Sequence, residues 1–172
     1  EMDFARAMGA VPGALAFMEP ANPEQGERAR EIALEGFKVV IAEHAGTRAA
    51  ELGSIRAAEI EVDLARGEDA ELRLVRLTGQ LDEDDALRAV ALRLLGTVRT
   101  DAGNLSGGAY AYAEAAAVGD YQDSGPLWIA AGRGFAASGL NEQASEAYNE
   151  ALVVDMELAA EARIADRISA LE

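Results

Sequence analysis

The sequence predicts an all-α protein, a solenoid of about three stacked helix pairs, and three observations carry that reading. One is internal repetition. "LRLLGTVRTDAGNLSGGAYAYAEAAAVGD" (92–120) aligns with residues 128–156 at a spacing of 36, placing Gly96 on Gly132, Gly103 on Gly139 and Ala111-Tyr112 on Ala147-Tyr148. Self-similarity at such a period marks supersecondary units stacked on one another. The second is a helical phrase of a small residue, a large one four later and an apolar one three after that. It occurs four times, as Ala33/Phe37/Val40, Ala70/Leu74/Leu77, Gly108/Tyr112/Ala115 and Ala144/Tyr148/Ala151, with successive sets 36 to 38 residues apart. The i, i+4, i+7 spacing is one helix face. The third is composition: half the residues are hydrophobic but only 5% aromatic. An alanine-rich core fills space only where helix backbones approach closely.

The elements follow in chain order. Residues 1–25 fit no repeat and read as an irregular segment, broken at Gly9 and Pro12-Gly13 and ended by Pro20 and Pro23. Three of the chain's four prolines lie in it, which leaves the remainder free to be nearly continuous helix. Its apolar residues, Phe4, Met8, Val11, Leu15, Phe17 and Met18, suit a cap packed on the first helix, a contact with another protomer, or a stub leading from an anchor. Periodicity then predicts helices at 26–44, 48–66, 69–80, 83–101, 106–118, 125–138 and 141–154, making residues 26–155 the repeat region. Asp82–Asp85 and Asn141 supply N-terminal signals. Residues 156–172 read as one amphipathic helix (157–171) capping the last apolar face. Within the repeats, Gly103 and Gly139 are expected to end first helices, and a shortened turn is expected around Gly67. Gly134 has no counterpart in the repeat and no evident reason to be glycine, although each interior glycine costs about 1 kcal/mol against alanine.

The last unit resembles a tetratricopeptide repeat (TPR). Trp128, Ala131-Gly132, Phe135, Gly139, Ala144, Tyr148 and Ala151 occupy the family's signature places, with Met156 where a proline usually closes the repeat. The preceding unit matches through Leu92, Leu95-Gly96, Gly103, Gly108, Tyr112 and Ala115, and departs at Arg99, where an aromatic is usual. The resemblance implies a right-handed α-solenoid. It also implies that the glycine eight residues into each first helix, Gly96 or Gly132, is a packing contact. Residues 33–71 further resemble the longer repeats of bacterial envelope proteins, with Ala45 in place of the usual proline. That implies envelope localisation, periplasmic and anchored through a segment now missing, with the cytoplasm as the other option. The chain begins at Glu1, and the expectation is a trimmed or processed protein.

Charge narrows the function. A net charge of −16 argues against nucleic-acid binding and against direct docking on anionic membranes. There is no cysteine and a single histidine, His44, which removes thiol nucleophiles, thiolate metal sites and multi-histidine sites. The carboxylates of "LDEDDAL" (81–87) lack the spacing of a calcium loop and read as a solvated helix start. "GNLSGGA" (103–109) lacks the Lys-Ser/Thr of a phosphate loop, and the repeat explains its glycines. No cofactor and no metal are expected, and no enzymatic constellation is found.

The resemblance implies a non-enzymatic protein-interaction module that binds a peptide or helix in a groove lined by the first helix of each pair. Counted from the repeat, groove-facing residues are Arg93, Thr97 and Thr100 of one unit and Ile129, Arg133 and Ala136 of the next. The two arginines are the expected anchors for an acidic peptide. The lysine–asparagine clamp of the family's chaperone-tail binders is missing. Tyr110 and Tyr121 lie off the core stripe and are freer to meet a partner. The alternatives are a self-associating scaffold, giving a homo-oligomer, and a regulatory domain cut from a larger membrane-anchored protein.

Overall fold

The computed structural model describes residues 22–119 and 121–171. The segment expected to be irregular therefore lies outside the described residues except for its last four positions, of which Pro23 opens a helix. The chain divides into two compact units, one ending at Leu77 and the other beginning at Thr78. All regular elements among the described residues are helical, and the fold is an α-solenoid built from helix pairs.

In the first unit α1 (Pro23–Glu43) packs on α2 (Arg48–Asp63), and α3 (Gly67–Thr78) follows. Local signals set the starts. Asn22 caps α1 by accepting from the Glu24 amide at 3.0 Å, with Pro23 in the first-turn position where its missing N–H costs nothing. Thr47 caps α2 by accepting from the Ala50 amide. Ala33, Leu34 and Phe37 pack against Ala57 and Ile60 in a core that Ile41 and Leu64 flank. Glu61, only 3% exposed, accepts from both ends of the Arg73 guanidinium and so ties α2 to α3. A buried carboxylate is tolerated only with such a partner.

The turn expected around Gly67 is present, with its left-handed residue two positions earlier. Ala65 is left-handed (φ 57°), its amide donates to the Val62 carbonyl, and the next amide, of Arg66, donates to the Glu61 carbonyl. Those are the bonds of a Schellman C-cap. Gly103 (φ 83°) and Gly139 (φ 73°) hold the same place in the later pairs, where Asn104 donates to Arg99 and Leu140 to Phe135. Ala65 thus stands where the repeat wants glycine, and Gly67 is simply the first residue of α3.

The second unit contains α4 (Ala86–Asp101), α5 (Leu105–Ala116), α6 (Ser124–Ala137) and α7 (Asn141–Val154), each packed on the next. Asp85 caps α4 and Asn104 caps α5 through side-chain oxygens. Asn141 is the first residue of α7, as expected, and its side-chain amide donates to the Leu171 carbonyl and does not cap the helix. The helical phrase found in the sequence is the core: eleven of its twelve residues are buried and Tyr112 is half-buried. A Cβ built on Gly132 would lie 2.4 Å from the Tyr148 ring, and one on Gly96 2.6 Å from the Tyr112 ring. Each tyrosine lies flat against bare backbone of the preceding helix. Gly134, unexplained by the repeat, has the same kind of reason on the other side. Its Cβ would stand 2.9 Å from that of Ala109 and 3.1 Å from the Leu105 carbonyl oxygen, so α6 presses on α5 there.

The expected single capping helix is two short ones, α8 (Met156–Glu161) and α9 (Ile164–Ser169). The break is at Arg163, which is left-handed at φ 54°. The bend lets both pieces fold onto α7, burying Ala159 and Ile164 completely in the core of Phe135 and Tyr148. A straight amphipathic helix offers only one stripe and would not turn back in this way.

Two substitutions test these assignments by chemical denaturation. Gly132→Ala is expected to destabilise by about 1–3 kcal/mol despite its gain in helix propensity, because the buried Tyr148 ring has no room to withdraw. Ala65→Gly is expected to stabilise by about 0.5–1 kcal/mol, since it relieves a left-handed alanine.

Candidate functional site

The six residues expected to line a groove fare differently. Arg93 and Thr97 on α4 are exposed, as is Arg133 on α6. Thr97 accepts a hydrogen bond from the Tyr112 hydroxyl at 3.1 Å and donates to the Arg93 carbonyl. Thr100 is half-buried, donating to the Gly96 carbonyl and lying against Gly108. Ala136 is half-buried against the core. Ile129 departs from the expectation. It is 5% exposed and belongs to the core of Phe135 and Tyr148, so it offers no groove surface. The position that exposes Arg93 in one repeat buries Ile129 in the next.

A wide opening in the second unit lies elsewhere. A groove of about 980 Å³ runs between α5 and α7 with α6 beneath it. Its floor is Trp128 and Phe135 of α6, and Ala113, Ala116 and Ala117 form the α5 wall. The space exists because that wall is alanine, where larger side chains would close it. Tyr110 stands at the edge, 48% exposed, with its ring edge-to-face against Phe135 at 4.8 Å. Tyr121 also lines the groove, so both tyrosines singled out in the sequence face it. At about 100° per residue, Arg133 is turned roughly 140° from Trp128 and 160° from Phe135, onto the other side of α6.

The α7 wall is polar and acidic, through Gln143, Glu146 and Glu150. Glu142, Glu146 and Glu150 recur every four residues, a stripe on one face of the helix. Neither Glu146 nor Glu150 has an ion-pair partner among the described residues. Between Leu105 and Ala162 the sequence carries nine acidic side chains and one cation, Arg133. That sequence signal marks this wall, and the repeat pattern, which attends to core positions, passes over it.

The remaining sequence candidates have structural places. His44 caps the end of α1, its amide donating to the Val40 carbonyl and its carbonyl accepting from the Thr47 hydroxyl. In "LDEDDAL", Asp85 is the α4 cap. In "GNLSGGA", the Gly107 amide is taken by the Asn104 side chain. Among the described residues no group of three or more His, Asp or Glu is placed to hold a metal, and no helix is long and apolar enough to cross a membrane.

Solved structures that match nearly the whole chain include these two. One is the crystal structure of MamA, with a TM-score of 0.58, 16% identity, and coverage of 91% of this chain and 92% of that one. The other is a Podosopora anserina protein, crystallised as a single-residue variant and described as a kinesin light chain with nearly identical TPR-like repeats. It gives a TM-score of 0.62 and 11% identity over 99% of this chain and 92% of that one. The fold is TPR-like. Similarity at these identities speaks for the fold alone. No family model matches the chain, and no curated protein does.

The acidic wall has a measurable consequence at Trp128, the chain's one tryptophan. Glu146→Lys/Glu150→Lys is expected to raise quenching of its fluorescence by iodide and lower quenching by caesium, because the local potential changes sign. Unchanged quenching by both ions would place the carboxylates away from the indole.

Proposed function

We propose that this protein is a non-enzymatic scaffold for protein–protein interaction. The observation that carries the reading is the open groove between α5 and α7 on a TPR-like stack, floored by aromatic rings and walled by carboxylates with no cation of their own. Exposed aromatic surface is typical of surfaces that meet partners, and the carboxylates beside it are open to pairing with a partner's cations. The fold supports the reading by analogy, since stacked helix pairs present extended surfaces of this kind. Arg93 and Thr97 on α4 and Arg133 on α6, all exposed, are a second candidate for partner contact. Residues 33–71, with their likeness to envelope-protein repeats, support work in the bacterial envelope.

The test is in-cell crosslinking followed by capture. It compares the wild type with Arg93→Glu/Arg133→Glu and with Glu146→Lys/Glu150→Lys, all confirmed as folded by circular dichroism. A specific partner is expected, kept by the arginine variant and lost from the glutamate variant. Loss from the arginine variant alone would move recognition to the α4/α6 side. A wild type that captures nothing above the uncoupled matrix would overturn the scaffold reading.

A further inference from the structure

We infer that the groove between α5 and α7 docks a basic amphipathic helix of a partner protein. The apolar face of that helix rests on Trp128 and the alanine wall, and its lysines or arginines pair with Glu146 and Glu150. The inference rests on the scaffold reading and names the partner's chemistry.

Size comes first. About 980 Å³ is at the upper end of the roughly 300–1,000 Å³ that small-molecule sites occupy, and the walls here are two helices, so the space suits a segment of chain. An amphipathic helix laid in a groove between helices is a recurrent recognition mode, anchored by apolar residues at i, i+3, i+4 and i+7. The apolar surface continues past the groove, through Val154 on its lining to Val153 and Met156, which are 82% and 74% exposed.

Charge selects among such helices. An apolar or acidic helix seated here would cover Glu146 and Glu150 without a counter-ion, and an unpaired carboxylate taken from water is strongly disfavoured. A basic helix brings that counter-ion, and a guanidinium can also stack on the Tyr110 or Trp128 ring. The one cation in this stretch, Arg133, lies on the other side of α6 and cannot neutralise the wall. A second copy of this chain is a poor occupant, since each copy carries a net charge of −16.

Trp128 reports occupancy directly. The full chain is titrated with a helical peptide of leucine and lysine, the leucines patterned on one face, while tryptophan emission is followed. Two control peptides are used: the same leucine pattern with glutamate for lysine, and the leucine–lysine composition scrambled to abolish the apolar face. A saturable shift is expected with the first peptide alone. Glu146→Lys/Glu150→Lys should raise its Kd by about ten-fold or more. Asp101→Lys/Glu161→Lys makes the same change in net charge at two exposed helix C-terminal ends away from the groove, and should change Kd by no more than about two-fold.

The inference is overturned if the emission does not respond, if the glutamate peptide binds as well, or if the two charge variants weaken binding equally. Sedimentation of the peptide-free protein covers the self-docked case, because a dimer that the peptide dissociates would make a second copy the occupant. If the peptide fails while crosslinked capture persists, the scaffold reading stands and the groove assignment falls. If both fail, both fall.

Discussion

Everything in the second unit depends on one contact repeated twice: a tyrosine ring lying on the bare backbone of a glycine in the helix before it. Tyr148 does this on Gly132 and Tyr112 on Gly96. No side chain intervenes, so the two helices of a pair approach as closely as ring thickness permits. The loss of helix propensity at each glycine is offset by burial of a large ring, complete for Tyr148 and partial for Tyr112, which keeps its hydroxyl on Thr97. The same close spacing gives an alanine-rich chain a core, because alanines touch across an interface only when backbones are near.

The groove is a by-product of that spacing. Tyr148 fixes α7 on α6, and Gly134 lets α6 press on α5 at Leu105 and Ala109. α6 is therefore held between two helices by glycines two residues apart that lie on opposite faces. On the remaining face of α6 the side chains are large, Trp128 and Phe135, while those of α5 opposite are alanines. Large residues below and small ones beside leave an open channel. Tyr110, braced against Phe135, keeps its edge in place.

Electrostatics then gives the channel a polarity that its shape lacks. Helix α7 carries its carboxylates at every fourth residue, and neither α5 nor α7 contains a lysine or arginine. In the first unit acids and bases pair between segments, as Glu61 on α2 does with Arg73 on α3, and Glu31 on α1 with Arg66 in the α2–α3 turn. At the groove wall Glu146 and Glu150 have no such partner among the described residues.

The sequence by itself determined the helices, their pairing and their buried faces. Periodicity and capping are local, and a 36-residue repeat states them twice. Asp85 before Ala86, Gly103 and Gly139 at turns, and the phrase from Ala33 to Ala151 were all legible for that reason. Other features were legible only in part or not at all. The turn before Gly67 takes Ala65 as its left-handed residue, and the last helix breaks at Arg163; neither residue type announces a positive φ. Ile129 shares Arg93's place in the repeat yet is buried, since burial depends on what the neighbouring helices bring. Gly134 found its reason only when α5 was laid against it. The groove was decided by tertiary structure alone: it is space left between side chains of two helices separated along the chain, and local pattern records which residues are present, not the gap between them.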